Sequence, residues 1–152
     1  MKIKFYLLAS VVLFFCMNTA AQQAVYDSAL AKRLGADERG MRSYIFVILK
    51  TGTAENISKA VSDSLFAGHM KNIGRLADEG KLVLAGPFGK NDKTYRGLYI
   101  FTVSTIDEAK ELVATDPAVA GKLLEAEYFK WYGSAAVMAI PELHGKIQKK
   151  SL

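Results

Sequence analysis

His69 and Asp92 are the two side chains whose types and spacing best suit acid/base chemistry. His69 continues an apolar stripe that recurs every three or four residues through Leu65, Ile73 and Leu76, so its imidazole should face a sheet rather than water. Asp92 follows the next apolar run, where a loop leaving a strand could bring its carboxylate back over the helix. A carboxylate beside an imidazole fixes its tautomer and raises its basicity, which suits a general base or acid.

Other catalytic classes lack the residues that they need. The only cysteine is Cys16, in a segment that we expect to be removed, and no serine sits in a nucleophile elbow. Zinc catalysis usually takes three protein ligands, whereas the histidines number two, with His144 in the C-terminal tail. The segment from Gly86 to Gly89 is a turn without the strand-to-helix context of a dinucleotide motif. We therefore expect neither a metal nor a cofactor.

Three of these features also fit a structural role. A helix-face histidine satisfied by a neighbouring carboxylate is common in protein cores. Asp116 precedes Pro117 and could be catalytic, or it could end one helix and cap the short turn that follows. Glu125 and Glu127 lie on one strand face, where they could pair in acid/base chemistry, join a metal site, or keep an edge strand soluble.

Helices and strands alternate in a pattern that can position these groups. A long helix begins between Ala54 and Ser62 and ends at Gly80, which takes the left-handed position past the last turn. A second helix is capped by Ser104 or Thr105, with Asp107 or Glu108 closing a capping box, and it ends at Asp116. Apolar runs predict strands at 42–50, 82–85, 98–103 and 122–132, and a short amphipathic helix at 24–34.

Both faces of the first strand are apolar. Tyr44, Phe46 and Ile48 alternate with three equally apolar neighbours, and the third strand repeats the pattern. Apolar residues on both faces indicate that both faces are covered, but two helices can cover only one face of a four-stranded sheet. We expect the second face to pack against the same sheet of another subunit, which makes the protein a homodimer.

The spacing H-x10-G-K-L-x3-G-P-x4-D, from His69 to Asp92, resembles the YciI-like (YCII-related) family. The later Asp116-Pro117 and a strand ending in Trp131-Tyr132 extend the resemblance over residues 41–133. The resemblance implies an α+β, ferredoxin-like subunit with a four-stranded antiparallel sheet that pairs into a dimeric α+β barrel. The family's histidine and aspartate, proposed to act in acid/base chemistry, fall on His69 and Asp92. The family is similar to a dehydrochlorinase acting on a chlorinated hydroxyquinol.

The first 21 residues have the composition of a signal peptide. Lys2 and Lys4 precede an apolar run from Phe5 to Phe15, and the small residues 19–21 suit cleavage before Gln22. Cleavage lowers the formal charge from +5 to +3, because residues 1–21 contain two lysines and no acid. We expect an exported, periplasmic or extracellular protein without a membrane anchor. Basic patches with interleaved aromatic residues are absent apart from a lysine-rich tail, so we do not expect nucleic-acid binding.

The predicted organisation is a signal peptide (1–21), an N-terminal helical appendage (22–41), the α+β barrel domain (42–133) and a C-terminal extension (134–152). The segment 134–140 fits either an extra edge strand or a helix laid across the partner, and Pro141 should break it. Two functions remain open. One is a lyase-like or isomerase-like enzyme that uses His69 and Asp92, and the other is a non-catalytic module for a small apolar or aromatic ligand. Gly86, Pro87, Phe88 and Tyr44 are the predicted substrate-binding residues.

Overall fold

The structure is a computed structural model, and it describes residues 25–150. The predicted signal peptide lies outside these residues. Four antiparallel strands form one sheet in the order β2-β3-β1-β4, with β1 at Met41–Thr51, β2 at Leu82–Pro87, β3 at Tyr95–Phe101 and β4 at Leu124–Ser134. With α2 (Lys59–Asp78) after β1 and α3 (Ile106–Ala114) after β3, this order is the ferredoxin-like arrangement. The predicted α+β class and sheet are confirmed.

Local signals explain where the helices begin and end. Ser58 caps α2, and Gly80 beyond its C-terminus has a φ of +67°, as expected for a glycine stop. Thr105 and Glu108 form the predicted capping box at the start of α3. A four-residue helix, α4 (Pro117–Ala120), follows with Asp116 as its N-cap.

The N-terminal helix, α1, spans Ser28–Leu34 and ends at Gly35. It begins later than the predicted 24–34, because Asp27 takes an extended conformation and accepts a hydrogen bond from the Leu30 N–H. The appendage packs through the buried Leu34, whose carbonyl accepts a hydrogen bond from Arg42 at 3.0 Å. Among residues 25–150, no helix is long and apolar enough to cross a membrane.

The larger core lies between the helices and one face of the sheet. Ile45, Val47 and Leu49 of β1 pack there with Leu76 of α2 and Phe101 of β3. The alternation of buried residues along β1 matches the predicted faces, since Tyr44 belongs to a second cluster with Val83 and Ile100. Both faces of the strand therefore contribute to packing.

The second face of the sheet is covered in part by the chain itself. After β4, a 3₁₀ segment (Ala135–Ala139) packs Val137 and Met138 against the cluster around Tyr44, and the helix α5 (Ile140–Ile147) follows. The predicted segment 134–140 is thus helical from residue 135 onward rather than an extra strand, and Pro141 does not break it but lies in the first turn of α5, where a proline fits. The sequence pattern predicts that a second subunit covers this face, but the chain itself covers part of it.

The β4 side of this face retains exposed aromatic rings. Phe129 and Trp131 pair across the strands with Phe46 and Tyr44, and their exposed fractions are 46% and 36%. Rings of this size in neighbouring positions form an apolar surface typical of a contact with another molecule. Dimer formation through this surface stays a prediction.

Candidate active site

His69 lies on the buried stripe of α2, three residues before Asn72 and seven before Leu76. Its Nδ1 atom lies 2.6 Å from the Oδ2 atom of Asp116, at the junction of α3 and α4. The two residues are far apart in sequence and are brought together by the packing of α2 against α4. The imidazole of His69 also stacks near the ring of Tyr99 on β3, with 6.1 Å between the ring centroids.

Asp116 is fully buried, and both of its carboxylate oxygens accept hydrogen bonds. Oδ1 accepts from the Ala118 N–H at 2.9 Å, which is the capping role expected of an Asp before a proline. Oδ2 accepts from the hydroxyl of Tyr99 at 3.1 Å and faces His69. The two roles left open for Asp116 are therefore compatible, because one oxygen caps α4 while the other meets the imidazole.

The surroundings of Asp116 favour its ionised form. Burial by itself raises the pKa of this carboxyl, but the hydrogen bond and charge of His69 and the donors of Ala118 and Tyr99 together lower the pKa below its usual range. The pKa of Tyr99 is raised, first by burial and then by the neighbouring Asp116 charge and hydrogen bond. Near neutral pH the site thus contains a buried carboxylate and a protonated phenol.

This arrangement assigns the tautomer of His69. An ionised carboxylate can only accept hydrogen bonds, so Nδ1 of His69 carries the proton that faces Asp116. When the imidazole is neutral, Nε2 therefore holds a free lone pair, and no side chain among residues 25–150 forms a hydrogen bond with it. A base oriented in this way is ready to accept a proton from a bound molecule.

Two features hold α2 close enough to α4 for the pair to form. A Cβ placed on Gly68 would lie 2.8 Å from the Cγ of Pro117, so only a glycine permits this approach of the two helices. One turn further along α2, the Oδ1 of Asn72 accepts hydrogen bonds from Thr115 at 3.0 Å and from Arg75 at 2.8 Å. These contacts fix the residue next to Asp116 against the helix that carries His69.

A cavity of about 870 Å³ opens beside His69. Its lining is mostly apolar and comes from α2, from all six residues of β2, from β3 and from α5. His69 and Tyr99 are the members of the buried polar cluster that reach it. A cavity of this size accommodates a small cyclic molecule. His69 therefore lies beside a cleft, as a functional residue requires.

The structure does not pair His69 with Asp92. Asp92 is exposed in the turn between β2 and β3, and no hydrogen bond joins it to His69 in the described part of the chain. The turn is held in place by Asn91, whose side chain bonds to the backbone of Gly89, Lys93 and Tyr95. The turn thus leaves the Asp92 carboxylate exposed rather than buried beside His69. The predicted geometry of the pair is corrected to His69 and Asp116, and any catalytic role of Asp92 stays a prediction.

The predicted substrate-binding residues separate into two groups. Gly86 and Pro87 line the same cavity as His69. Phe88 lies instead at a shallow groove along the β2–β3 turn and is 38% exposed. Tyr44 is buried on the other face of the sheet, and its hydroxyl donates to the Ser134 carbonyl at 2.9 Å. Neither Phe88 nor Tyr44 reaches the cavity, because β-strand alternation and the hairpin direct them elsewhere.

The acidic pair on β4 has a structural partner. Lys50 of β1 lies 2.7 Å from a carboxylate oxygen of Glu127 and 4.0 Å from one of Glu125. Since β4 is an edge strand, this agrees with the reading that its acids keep the edge soluble. Among residues 25–150, no three His, Cys, Asp or Glu side chains are grouped so that they could hold a metal ion.

Two local features of the sequence mark the residues that meet in this cluster. Asp116 stands before Pro117, and a glycine stands directly before His69 at the point of helix contact. Tyr99 lies in the cavity lining beside His69. Its hydrogen bond to Asp116 depends on the register of β3 against α4, and the sequence did not reveal it.

Comparisons with known proteins give one family and a similar structure. The model of the YCII-related domain family matches residues 44–132. A structure of 5-chloro-2-hydroxyhydroquinone dehydrochlorinase from Burkholderia phenoliruptrix, in complex with 2,5-dihydroxybenzoquinone, is 23% identical and has a TM-score of 0.42. The match covers 57% of this chain and 92% of that one. No curated protein matches the chain.

Proposed function

The chain belongs to the YCII-related domain family, and from that premise we propose that it is a small-molecule enzyme of the lyase or isomerase type. His69 is its general base, and Asp116 is the residue that orients this base. The observation that carries the proposal is the free Nε2 of an imidazole whose Nδ1 is held by a buried carboxylate beside a large apolar cavity.

In this mechanism, Nε2 of His69 accepts a proton from a C–H next to a carbonyl or from a ring hydroxyl. The imidazolium that forms is stabilised by the Asp116 carboxylate 2.6 Å away. Tyr99 keeps its own proton and donates to the same oxygen, so it holds the carboxylate in place without competing for the substrate proton. The imidazolium then returns the proton to another atom in an isomerisation, or the substrate expels a leaving group in an elimination.

The cavity favours a small ring compound as the substrate. Its apolar walls can bury a ring, while His69 offers a single polar contact at the reacting position. Elimination would suit a hydroxylated ring that carries a halogen substituent. The ring loses one proton to His69 and one halide ion to solvent, and the product has one more double bond. Isomerisation would suit a cyclic ketone with an acidic neighbouring C–H.

A turnover screen at several pH values tests this proposal. Halogenated hydroquinols and cyclic ketones are incubated with the protein, with 2,5-dihydroxybenzoquinone included as a binding probe. We expect turnover by the unaltered protein and a loss of about 100-fold or more in His69→Gln, which keeps polarity but lacks a base near neutral pH. Asp92→Asn tests the other predicted partner of His69: we expect it to retain activity, and a loss as large as that of His69→Gln would assign a catalytic role to Asp92.

The screen also separates catalysis from simple ligand binding. Compounds that bind to the unaltered protein at His69 without any turnover would favour a non-catalytic binding module of the cell envelope. Equal turnover by the unaltered protein and by His69→Gln would refute the assignment of the base.

A further inference from the structure

The C-terminal helix α5 forms one wall of the cavity that contains His69. Its residues Ile140, Pro141, His144 and Gly145 line that cavity together with α2 and β2. This helix lies beyond residue 132, where the match to the YCII-related domain ends. The wall is therefore built from a part of the chain that is not shared with the family domain.

The path of the chain explains how α5 reaches the site. The 3₁₀ segment before it is anchored on the second face of the sheet through the Ala135 N–H, which donates to the Gly40 carbonyl at 2.8 Å. Val137 and Met138 pack beside Val83 of β2. From this anchor the chain continues into α5, which contacts the edge strand β2, while α2 packs on the opposite face of the sheet.

His144 adds a second imidazole to the cavity lining. The chain contains two histidines in all, and both of them line this one cavity. Arg96 of β3 and Asp78 of α2 are the charged side chains of the lining. His144 and Arg96 can both donate hydrogen bonds to an oxygen atom, whereas β2 contributes mainly apolar surface.

We propose that α5 is the specificity element of the site and that His144 is a substrate-positioning residue. The ligand class that fits is a ring compound with a hydroxyl or carboxylate oxygen. His69 contacts the reacting part of this ligand, and His144, with Arg96, binds an oxygen substituent on another part. This inference rests on the proposed function, because it concerns the same cavity.

The two histidines make a direct binding test possible. The imidazole NMR signals of the full chain are followed while 2,5-dihydroxybenzoic acid, a ring with two hydroxyls and a carboxylate, is added. We expect the signals of His69 and His144 to shift together with a single dissociation constant. A shift of His69 alone would overturn the role of α5 and leave the proposed function standing. Unchanged signals from both histidines at millimolar probe would contradict both proposals.

Glycines in the lining allow each wall to be tested separately. Gly145 of α5 and Gly74 of α2 both line the cavity, and a Cβ on either meets nothing within 4 Å, so a larger side chain at this wall needs no displacement of the backbone. Gly145→Phe and Gly74→Phe should each weaken probe binding by about tenfold or more. Leu143→Phe is the control, because Leu143 is 56% exposed and outside the lining. Weakening by Gly74→Phe but not by Gly145→Phe would refute the α5 wall.

The oxygen-binding role of His144 has its own readout. His144→Ala should weaken binding of 2,5-dihydroxybenzoic acid by about tenfold, and it should affect hydroquinone, which lacks the carboxylate, much less. A merely structural role would weaken both probes equally. Equal weakening, or no weakening of either probe, would therefore overturn the assignment of His144.

Discussion

Asp116→Asn should force His69 into the wrong tautomer while preserving the shape of the core. The amide has nearly the volume of the carboxyl, so no void forms. If its oxygen continues to accept from the Ala118 N–H, its NH₂ group faces His69 and Tyr99. That NH₂ then donates to Nδ1, and the imidazole proton moves to Nε2, where it blocks the base. In the opposite orientation the NH₂ group of the amide faces the Ala118 N–H, and two hydrogen-bond donors then face each other without an acceptor.

The cost in stability follows from the bonds that are lost. The Asp116 carboxylate accepts two buried side-chain hydrogen bonds, from His69 and from Tyr99. Hydrogen bonds to a charged group contribute about 1.5–3 kcal/mol each. The amide of the variant keeps one of these contacts as a neutral hydrogen bond to His69. The hydrogen bond from the Tyr99 hydroxyl is lost, because the NH₂ group cannot accept it. We expect the free energy of unfolding at pH 7 to fall by about 2–3 kcal/mol.

Two measurements check this prediction. Chemical denaturation gives the change in the free energy of unfolding, and the ¹⁵N chemical shifts of the imidazole ring report which nitrogen of His69 carries the proton. The exposed Asp92→Asn is the matched control, and its unfolding free energy should stay within about 0.5 kcal/mol of the unaltered protein. Its His69 tautomer should not change.

The effect of Asp116→Asn should also depend on pH. Because the folded protein lowers the pKa of Asp116, this carboxylate stabilises the fold above its unfolded pKa of about 4, and the contribution is lost as pH falls through the folded-state pKa. The stability gap between the unaltered protein and the variant should thus narrow as pH falls below about 4. A variant with unchanged stability and an unchanged tautomer would refute the reasoning about the pair.

Three further predictions concern the rest of the molecule. Gly68→Ala should lower the free energy of unfolding by about 1–3 kcal/mol, because its Cβ would meet the Pro117 ring at 2.8 Å, whereas Gly74→Ala, with open space, should not destabilise. Denaturation curves compare the two variants. Light scattering at micromolar concentration should give a dimer, and Trp131→Lys on the exposed aromatic surface should shift it toward monomer; a monomeric unaltered protein would contradict the expected pairing. N-terminal sequencing of the protein from the cell envelope should begin at or near Gln22, and an uncleaved chain would show that export with processing is wrong.

Signals local in sequence were enough to predict the elements of the fold. Capping residues and glycine stops depend on a few neighbouring residues, so a capping box at Ser104 or Thr105 and the end of α2 at Gly80 could be predicted, and the structure selects Thr105 with Glu108. Strand bounds shifted by two or three residues at β3 and β4, because hydrogen bonding with neighbours extends or shortens a strand beyond its apolar run. The position of His69 on the buried face of α2 followed from helical periodicity alone.

The partner of His69 could be decided only by the tertiary structure. Asp92 is closer to His69 in sequence, but its hairpin points it into solvent, while Asp116 reaches the imidazole because Gly68 lets α2 approach α4. The path of the chain after β4 is likewise set by tertiary packing. It places Val137 and Met138 on the second face of the sheet and brings His144 to the cavity. Periodicity says which side of an element is buried. The residue that it meets there is set by the packing of distant elements, which sequence spacing does not contain.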